Sequence, residues 1–503
     1  MNQVTNTSGN GQHGQQLRAP KKTAQSEAAA SPSVVKESLV TFQTADGLEL
    51  RGVPTRVTRH TVVFELYNPS VAPRLSEVLG EFKIVLQDRA IYSGRAVVHN
   101  VVNAGLNVVC EATLNEAHWI NVELGSALQH NGRLAEEFNS FMQEWQKLYK
   151  VLPEYKVVLA DMQTFLADLR LWLEQIEVGI RASPSGDRIE LEREIARQLE
   201  PKIVPAIVSL FEQFEEVSNH IDEDLIPAHR AFGKRQLHPL LLCSPFVYRT
   251  FHKPLGYAGD YEVVNMMFRD PFEGGSLFAK MINAYALQLP PIIAHRNRIA
   301  YLSERLAKEA LRVMVRGGTA RFFNLGCGPA HEVQHFLTED EVSNYVHFTL
   351  ADFNQETLQH TSAVLDKLRQ RHERRTTIQM VKRAVHQMIK SAGRRVQYPE
   401  AELYDCIYCA GLFDYLSDRT CQQLMDIFYD MLAPNGLLIA TNVDKHPARN
   451  EMECFLEWHL VERDNNRFRA VAPQKAVPEN ILLKRDPTGV NVLMEVRKPD
   501  GER

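Results

Sequence analysis

The stretch FFNLGCGPAHEV, residues 322–333, decides how the second half of this chain folds. Apolar residues run up to Leu325, Gly326 and Gly328 alternate around Cys327, and a helix-like segment follows Ala330. A strand, a bare Gly-x-Gly turn and a helix let a small ligand lie against backbone that Cβ atoms would otherwise block. A phosphate-cradling loop closes on Gly-Lys-Ser or Gly-Lys-Thr, whereas Gly328 is followed by Pro329, Ala330 and His331. A dinucleotide fingerprint wants a small residue where His331 stands. The turn therefore suits a ligand that presents no phosphate.

Working outward, the next strand-like run, VHFTLAD, ends at Asp352, 24 positions after Gly328. A carboxylate at the tip of a second strand can accept both hydroxyl protons of a ribose. The alternative is a cap on the helix that DFNQE begins, where Asn354 is also available. The ribose role is the reading adopted, with Phe353 beside it. Strand candidates ARFFNL, VHFTLAD, TTIQMV, YDCIYCA and NGLLIATNV alternate with helical segments over residues 241–503. That alternation predicts a doubly wound, Rossmann-like α/β sheet with its ligand at the carboxyl ends of the strands.

In their order, FFNLGCGPAHEV, LADFNQETL, YDCIYCAGLFDYL and LAPNGLLIATNV resemble the class I methyltransferases that use S-adenosylmethionine. More narrowly, HKPLGYAGDYEVVNMMF, AHRNRI and ECFLEWHLVERD resemble the bacterial extracellular factor family, which makes 3-hydroxypalmitic acid methyl ester, a quorum signal. The resemblance implies S-adenosylmethionine as cofactor and a fatty-acid carboxylate as methyl acceptor. It also implies that Asn324, Gly326, Cys327, Gly328, Asp352, Phe353, Ala410 and Gly411 hold the cofactor. Two positions depart from the class. Asn324 stands where an acid usually holds the methionine ammonium, and its amide oxygen accepts that hydrogen bond without charge assistance. Ala330 replaces the usual third glycine.

Methyl transfer is an in-line displacement on a carbon already activated by a sulfonium, so alignment and exclusion of water are the protein's main tasks. A carboxylate acceptor is ionised at neutral pH and needs no strong base. Candidate catalytic residues are Asp414 and Tyr415 in CAGLFDYL, and Tyr257 and Asp260 in HKPLGYAGDY. The latter segment, with Gly256, Gly259 and Tyr261, reads as a lid, or alternatively as a packed turn in which Asp260 caps a helix. Arg296 and Arg298 read as surface residues of a helix, with paired hydrogen bonding to an acidic substrate as the alternative. Trp458 and His459 read as part of a packed helix, with a lining of the acceptor pocket as the alternative.

The front half divides differently. Residues 1–36, rich in Gln, Asn, Ser, Gly and Ala, read as a disordered tail. Residues 37–124 contain LVTFQTAD, GLELRGVPTRV, TVVFELY, FKIVLQD, AIYSGRAVVHNVV and NVVCEATL between turn signals, which predicts a small β-barrel or sandwich. This segment resembles a PilZ domain, the bacterial module for cyclic di-GMP. Arg51, Arg56 and Arg59 are present, but the R-x-x-x-R spacing and the second motif after HTVVFELYNPS are missing, so the barrel reads as degenerate. Residues 125–240 show helical spacing at Phe138, Phe141, Trp145 and Leu148 and again at Met162, Phe165, Leu166 and Leu169. That stripe predicts a bundle core or a homodimer seam, divided into helices at Pro153, the SPSG turn at 183–186, and Pro201.

Bulk composition excludes several classes. A net charge of −5 in 503 residues gives no global pull toward nucleic acid. No apolar run reaches the roughly 20 residues of a membrane span, and the first residues lack a signal-peptide pattern, so the chain reads as cytoplasmic. Seven scattered cysteines fit a reducing compartment. Cys406 and Cys409 form a C-x-x-C inside an apolar strand without a second pair, which argues against a metal site.

Overall fold

The computed structural model describes residues 38–67, 69, 72–86, 89–104, 107–120, 139, 142, 151–182, 187–392 and 403–501. The tail at 1–36, Phe138, Phe141, Trp145, Leu148, the SPSG turn, and Asn68 and Ser70 of the YNPS turn lie outside them.

Six strands form the N-terminal unit: β1 (Leu39–Gln43), β2 (Glu49–Val57), β3 (Thr61–Tyr67), β4 (Val78–Leu86), β5 (Arg89–Ala104) and β6 (Asn107–Leu114). They close into an antiparallel barrel of order β1-β2-β3-β6-β5-β4, with β4 pairing back onto β1. Period-two alternation sends Val62, Phe64 and Leu66 of β3 inward. Phe42, Phe64 and Phe82 meet at the centre with ring centroids 5.4 to 5.8 Å apart. Closure removes the free strand edges of an open sheet. Arg51, Arg56 and Arg59 are exposed, and Arg56 pairs with Glu111 at 3.2 Å.

The helices Pro153–Ala182 and Arg188–Ser218 pack on each other through one apolar core. Leu159, Met162, Leu166 and Leu173 share it with Val204, Ile207, Phe211 and Phe214. Pro201 does not divide the second helix, which runs through both Pro201 and Pro205. Each interior proline removes a backbone donor, at a cost of about 3 kcal/mol. Both prolines lie on the exposed side while Ile203, Val204 and Ile207 are buried, so stripe burial outweighs the lost bonds. The same core takes in the helices Ile226–Leu241, Leu277–Ala286 and Arg449–Phe455 and continues to Trp458. Glu215 ties the layers together by accepting the backbone N–H groups of Asn450 and Glu451.

The C-terminal sheet has seven strands: β7 (Ala320–Leu325), β8 (Val346–Asp352), β9 (Thr377–Lys382), β10 (Tyr404–Cys409), β11 (Leu432–Val443), β12 (Ile481–Arg485) and β13 (Asn491–Arg497). Their order is β12-β13-β11-β10-β7-β8-β9, parallel from β11 to β9, with β12 and β13 as an antiparallel pair at one edge. The chain thus contains a barrel, a helical middle and a doubly wound sheet. Strand order reverses between β7 and β10, the point where open α/β sheets leave a crevice at their carboxyl ends. Cys406 and Cys409 are both buried within β10. No helix among the described residues is long and apolar enough to cross a membrane.

The barrel sits directly on the rest of the chain. Val78 N–H donates to the carbonyl of Gly256 at 2.7 Å. The hydroxyl of Ser76 donates to the His459 carbonyl at 3.0 Å and accepts from the His459 N–H at 2.5 Å. Arg95 donates to the carbonyls of Phe251 and His252, each at 3.1 Å.

Candidate active site

A cavity opens at the strand-order reversal, lined by residues that follow β7, β8, β10 and β11 and by the helix Pro290–Met314. After β7 the chain turns sharply, and the N–H groups of Gly326 and Cys327 donate to the Ala351 carbonyl at 2.8 and 3.1 Å. Gly326 and Gly328 adopt φ +75° and +51°, where a side chain would be strained. A Cβ at Gly328, which lines the cavity, would meet nothing within 4 Å. Ala330 holds φ +52° at the start of the helix His331–Glu339, so the missing third glycine is absorbed as local strain.

Asp352 lines this cavity at the end of β8 and is buried. One carboxylate oxygen accepts the Gly328 N–H at 3.1 Å and the other the Asn354 N–H at 3.0 Å, so the acid fixes the glycine turn. The following helix, Gln355–Arg371, is capped by Asn354, which accepts from Thr357 N–H. Capping therefore does not account for Asp352. Burial raises its carboxyl pKa, opposed by the Asn354 and Gly328 N–H groups and by Arg74.

Asn324 ends inside the same cavity. Its amide nitrogen donates to Glu332 at 3.2 Å, and its buried amide oxygen has no hydrogen-bond partner among the described residues. Glu332 also accepts from the Tyr408 hydroxyl at 2.9 Å. Burial raises the Glu332 pKa, against the hydrogen bonds of its own backbone and of Tyr408 and the charge of Arg298. The orphaned oxygen is an acceptor awaiting a donor, which fits the ammonium of an amino-acid ligand. Burial also pushes the Cys327 thiol well up, which leaves it an uncharged wall.

Ala410 and Gly411 border the cavity after β10. Gly411 has φ +84°, and a Cβ there would come 2.8 Å from Nη2 of Arg298. Arg298 is not a surface residue: it is 5 % exposed and reaches the cavity wall. It donates to Nδ1 of His295 at 2.6 Å, lies 3.9 Å from Asp414, and leaves its Nε without a partner among the described residues. Arginine accepts nothing, so His295 accepts through Nδ1 and carries its proton on Nε2, which is also buried and unpartnered. Burial, helped by the Arg298 charge, holds the His295 pKa well below its ordinary value and keeps the ring neutral. Arg296 points elsewhere, donating to the Leu287 carbonyl.

The sequence-derived catalytic set divides. Asp414 lines the cavity and accepts the Val443 N–H at 2.7 Å; burial raises its carboxyl pKa. Tyr415 lines it too, with its hydroxyl accepting from the Trp458 indole at 2.8 Å. Tyr257 lines it at 5.0 Å ring-centroid distance from Phe353. Asp260 does not reach the cavity. It caps the helix Tyr261–Met266 through the N–H groups of Glu262 and Val263, and both its oxygens accept from Arg249 at 3.0 and 3.1 Å. Its lone pairs are committed to structure. The segment at 253–260 covers one side of the cavity and is pinned, because Lys253 donates to the Leu456 carbonyl and Gly256 accepts from Val78. Trp458 and His459 follow the helix Arg449–Phe455 in a segment without regular secondary structure rather than lying within it.

Sequence reasoning missed His295, Glu332 and the barrel's share of the lining. An acid in the first turn of a helix is ordinarily read as a dipole partner, so Glu332 carried no distinguishing signal.

No family model matches the chain, and no curated protein matches it. Among solved structures it is similar to one described as a possible exported protein from Bordetella parapertussis, at 15% identity over 60% of this chain and 97% of that one, TM-score 0.38. It is similar to the N-methyltransferase NodS from Bradyrhizobium japonicum WM9, at 15% identity over 40% of this chain and 97% of that one, TM-score 0.25. It is also similar to magnesium protoporphyrin IX methyltransferase from Synechocystis PCC 6803 with bound SAH, at 8% identity over 41% of this chain and 84% of that one, TM-score 0.29.

Proposed function

We propose that this chain is an S-adenosylmethionine-dependent methyltransferase that methylates the carboxylate of a 3-hydroxy fatty acid. The observation that carries the donor half is the buried oxygen of Asn324 beside the Gly326–Gly328 turn, unpartnered among the described residues, with the Asp352 carboxylate at the next strand end. Asn324 accepts the donor's ammonium, Asp352 accepts its ribose hydroxyls, and the bare backbone at Gly326 and Gly328 lets the ligand approach. When bound, S-adenosylmethionine supplies a methyl group on a positively charged sulfur.

The acceptor half rests on Arg298. Among the described residues this buried guanidinium has one hydrogen bond and a carboxylate no closer than 3.9 Å, which leaves it under-satisfied. An arriving carboxylate would supply the missing acceptors. His295 Nε2–H, on the side of the ring away from Arg298, is a further buried donor without a partner among the described residues. Met267, Ile292, Met452, Trp458 and Leu460 give the same cavity an apolar wall suited to an acyl chain. The chain's residues orient the carboxylate and exclude water; no proton has to be removed, because the acceptor arrives ionised. Tyr415 and Asp414 position the acceptor side through Trp458 and the Val443 backbone.

The test is incubation of the full chain with methyl-labelled S-adenosylmethionine and 3-hydroxypalmitate. Labelled methyl ester supports the reading. Label transferred to another acceptor but never to a fatty acid removes the acceptor half and leaves the donor half standing.

A further inference from the structure

The barrel does more than stand beside the sheet: Ala45, Arg74, Leu75 and Glu77 line the same cavity as Asp352 and Phe353. The Arg74 guanidinium lies over the Phe353 ring, 4.5 Å from its centroid. Arg74 is fixed at both ends. Its guanidinium pairs with Asp46 at 2.9 Å, and its backbone N–H donates to Glu77 at 2.7 Å. The other oxygen of Glu77, itself buried, accepts the Ala45 N–H at 2.8 Å. An arginine held in this way on an aromatic face is already organised before any ligand arrives, so little conformational freedom is lost on binding.

We infer that Arg74 is a donor-binding residue: the barrel walls the adenosine end of the cavity, and donor affinity depends on the barrel staying seated. This rests on the donor reading above. Phe353 directly follows Asp352, the ribose acid of that reading, so a side chain covering Phe353 stands at the nucleoside end rather than at the Asn324 end. The seat is made by Ser76, Val78 and Arg95 through polar contacts with His459, Gly256, Phe251 and His252. Two of these, Ser76 and Val78, lie within four residues of Arg74 in sequence. A barrel displaced from His459 and Gly256 therefore withdraws Arg74 as well, which makes the N-terminal unit part of the site rather than an appended module.

The experiment is calorimetric titration of the full chain with S-adenosylhomocysteine and, separately, with 5′-methylthioadenosine, which lacks the amino-acid end. Arg74→Ala is expected to weaken both ligands by about tenfold, the loss of one desolvated cation–aromatic wall. Asn324→Ala is expected to weaken only S-adenosylhomocysteine. Arg74→Ala affinities equal to wild type for both ligands overturn the inference while the donor reading stands. Wild-type protein that binds neither ligand overturns both together. A measurement free of substitutions guards against a loosened variant: hydrogen exchange at residues 74–78 of the wild type should slow when S-adenosylhomocysteine is added. Unchanged exchange there, with ligand bound, also overturns the inference.

Discussion

Replacing Arg298 with methionine separates acceptor binding from donor binding. The side chain is buried, its Nη2 donates to His295 at 2.6 Å, and Asp414 stands 3.9 Å away. If the acceptor carboxylate lies against this guanidinium, Arg298→Met removes charge-assisted hydrogen bonds worth about 1.5 to 3 kcal/mol. That corresponds to a rise in KM for the fatty acid of roughly 10- to 150-fold. The fold should survive, because Asp414 keeps the Val443 N–H, and burial has already raised its pKa toward accepting a proton. A stability loss of about 1 to 2 kcal/mol is expected, below the roughly 3 to 5 that leaving a bare buried charge costs. Initial rates with 3-hydroxypalmitate varied at saturating S-adenosylmethionine give KM, and calorimetry with S-adenosylhomocysteine gives the donor affinity. The first should rise and the second stay within about twofold, since the donor's contacts are elsewhere. An unchanged KM would refute the placement of the carboxylate. A donor affinity lost in parallel would show instead that Arg298 holds the cavity open.

Gly411→Ala meets both a φ of +84° and a contact of 2.8 Å with Arg298, so a stability loss of at least about 1 kcal/mol and a fall in kcat/KM are expected; unchanged values would show that the turn relaxes freely. Pro201→Ala, at an exposed interior helix position, should raise the unfolding free energy by up to about 3 kcal/mol by restoring a backbone donor, read as a higher midpoint in urea; a lowered midpoint would mean that the proline supports the native helix. Lys253 is buried with its pKa brought down to about 7, chiefly by burial, so the unfolded chain binds the extra proton at higher pH than the folded one. Stability should therefore rise with pH from about 7 toward the ordinary lysine value, and Lys253→Met should flatten that rise in urea titrations at several pH values.

The sheet was legible because its parallel strands are short, apolar and punctuated: ARFFNL and VHFTLAD emerge as β7 and β8 and meet in register from Ala320 with Val346 to Leu325 with Ala351. The edge pair β12 and β13 was not, since no helix separates the two strands and the βα rhythm stops there. The barrel's inward alternation was readable in TVVFELY, whereas its closure of β4 onto β1 depends on long-range pairing that no local pattern encodes. In the site, Gly326, Gly328 and Asp352 could be found because a turn and a strand end constrain them locally. Arg298 and Asp260 were misread for one reason: the exposure and partners of a charged side chain are set by elements distant in sequence. Arg298 is buried against the end of β10, and Asp260 is consumed by Arg249 and a helix start. Pro201 shows the converse, a strong local signal overridden by the packing of a long apolar stripe.

If the crevice between β7 and β10 takes S-adenosylmethionine, titration of wild-type and Asp352→Ala protein with that ligand will show it. The wild type should bind in the micromolar range, and binding should weaken by about 1 to 3 kcal/mol in the variant, which loses the ribose acceptor together with the carboxylate that orders Gly328. Absence of binding at millimolar ligand, or equal affinity of the two proteins, would contradict it.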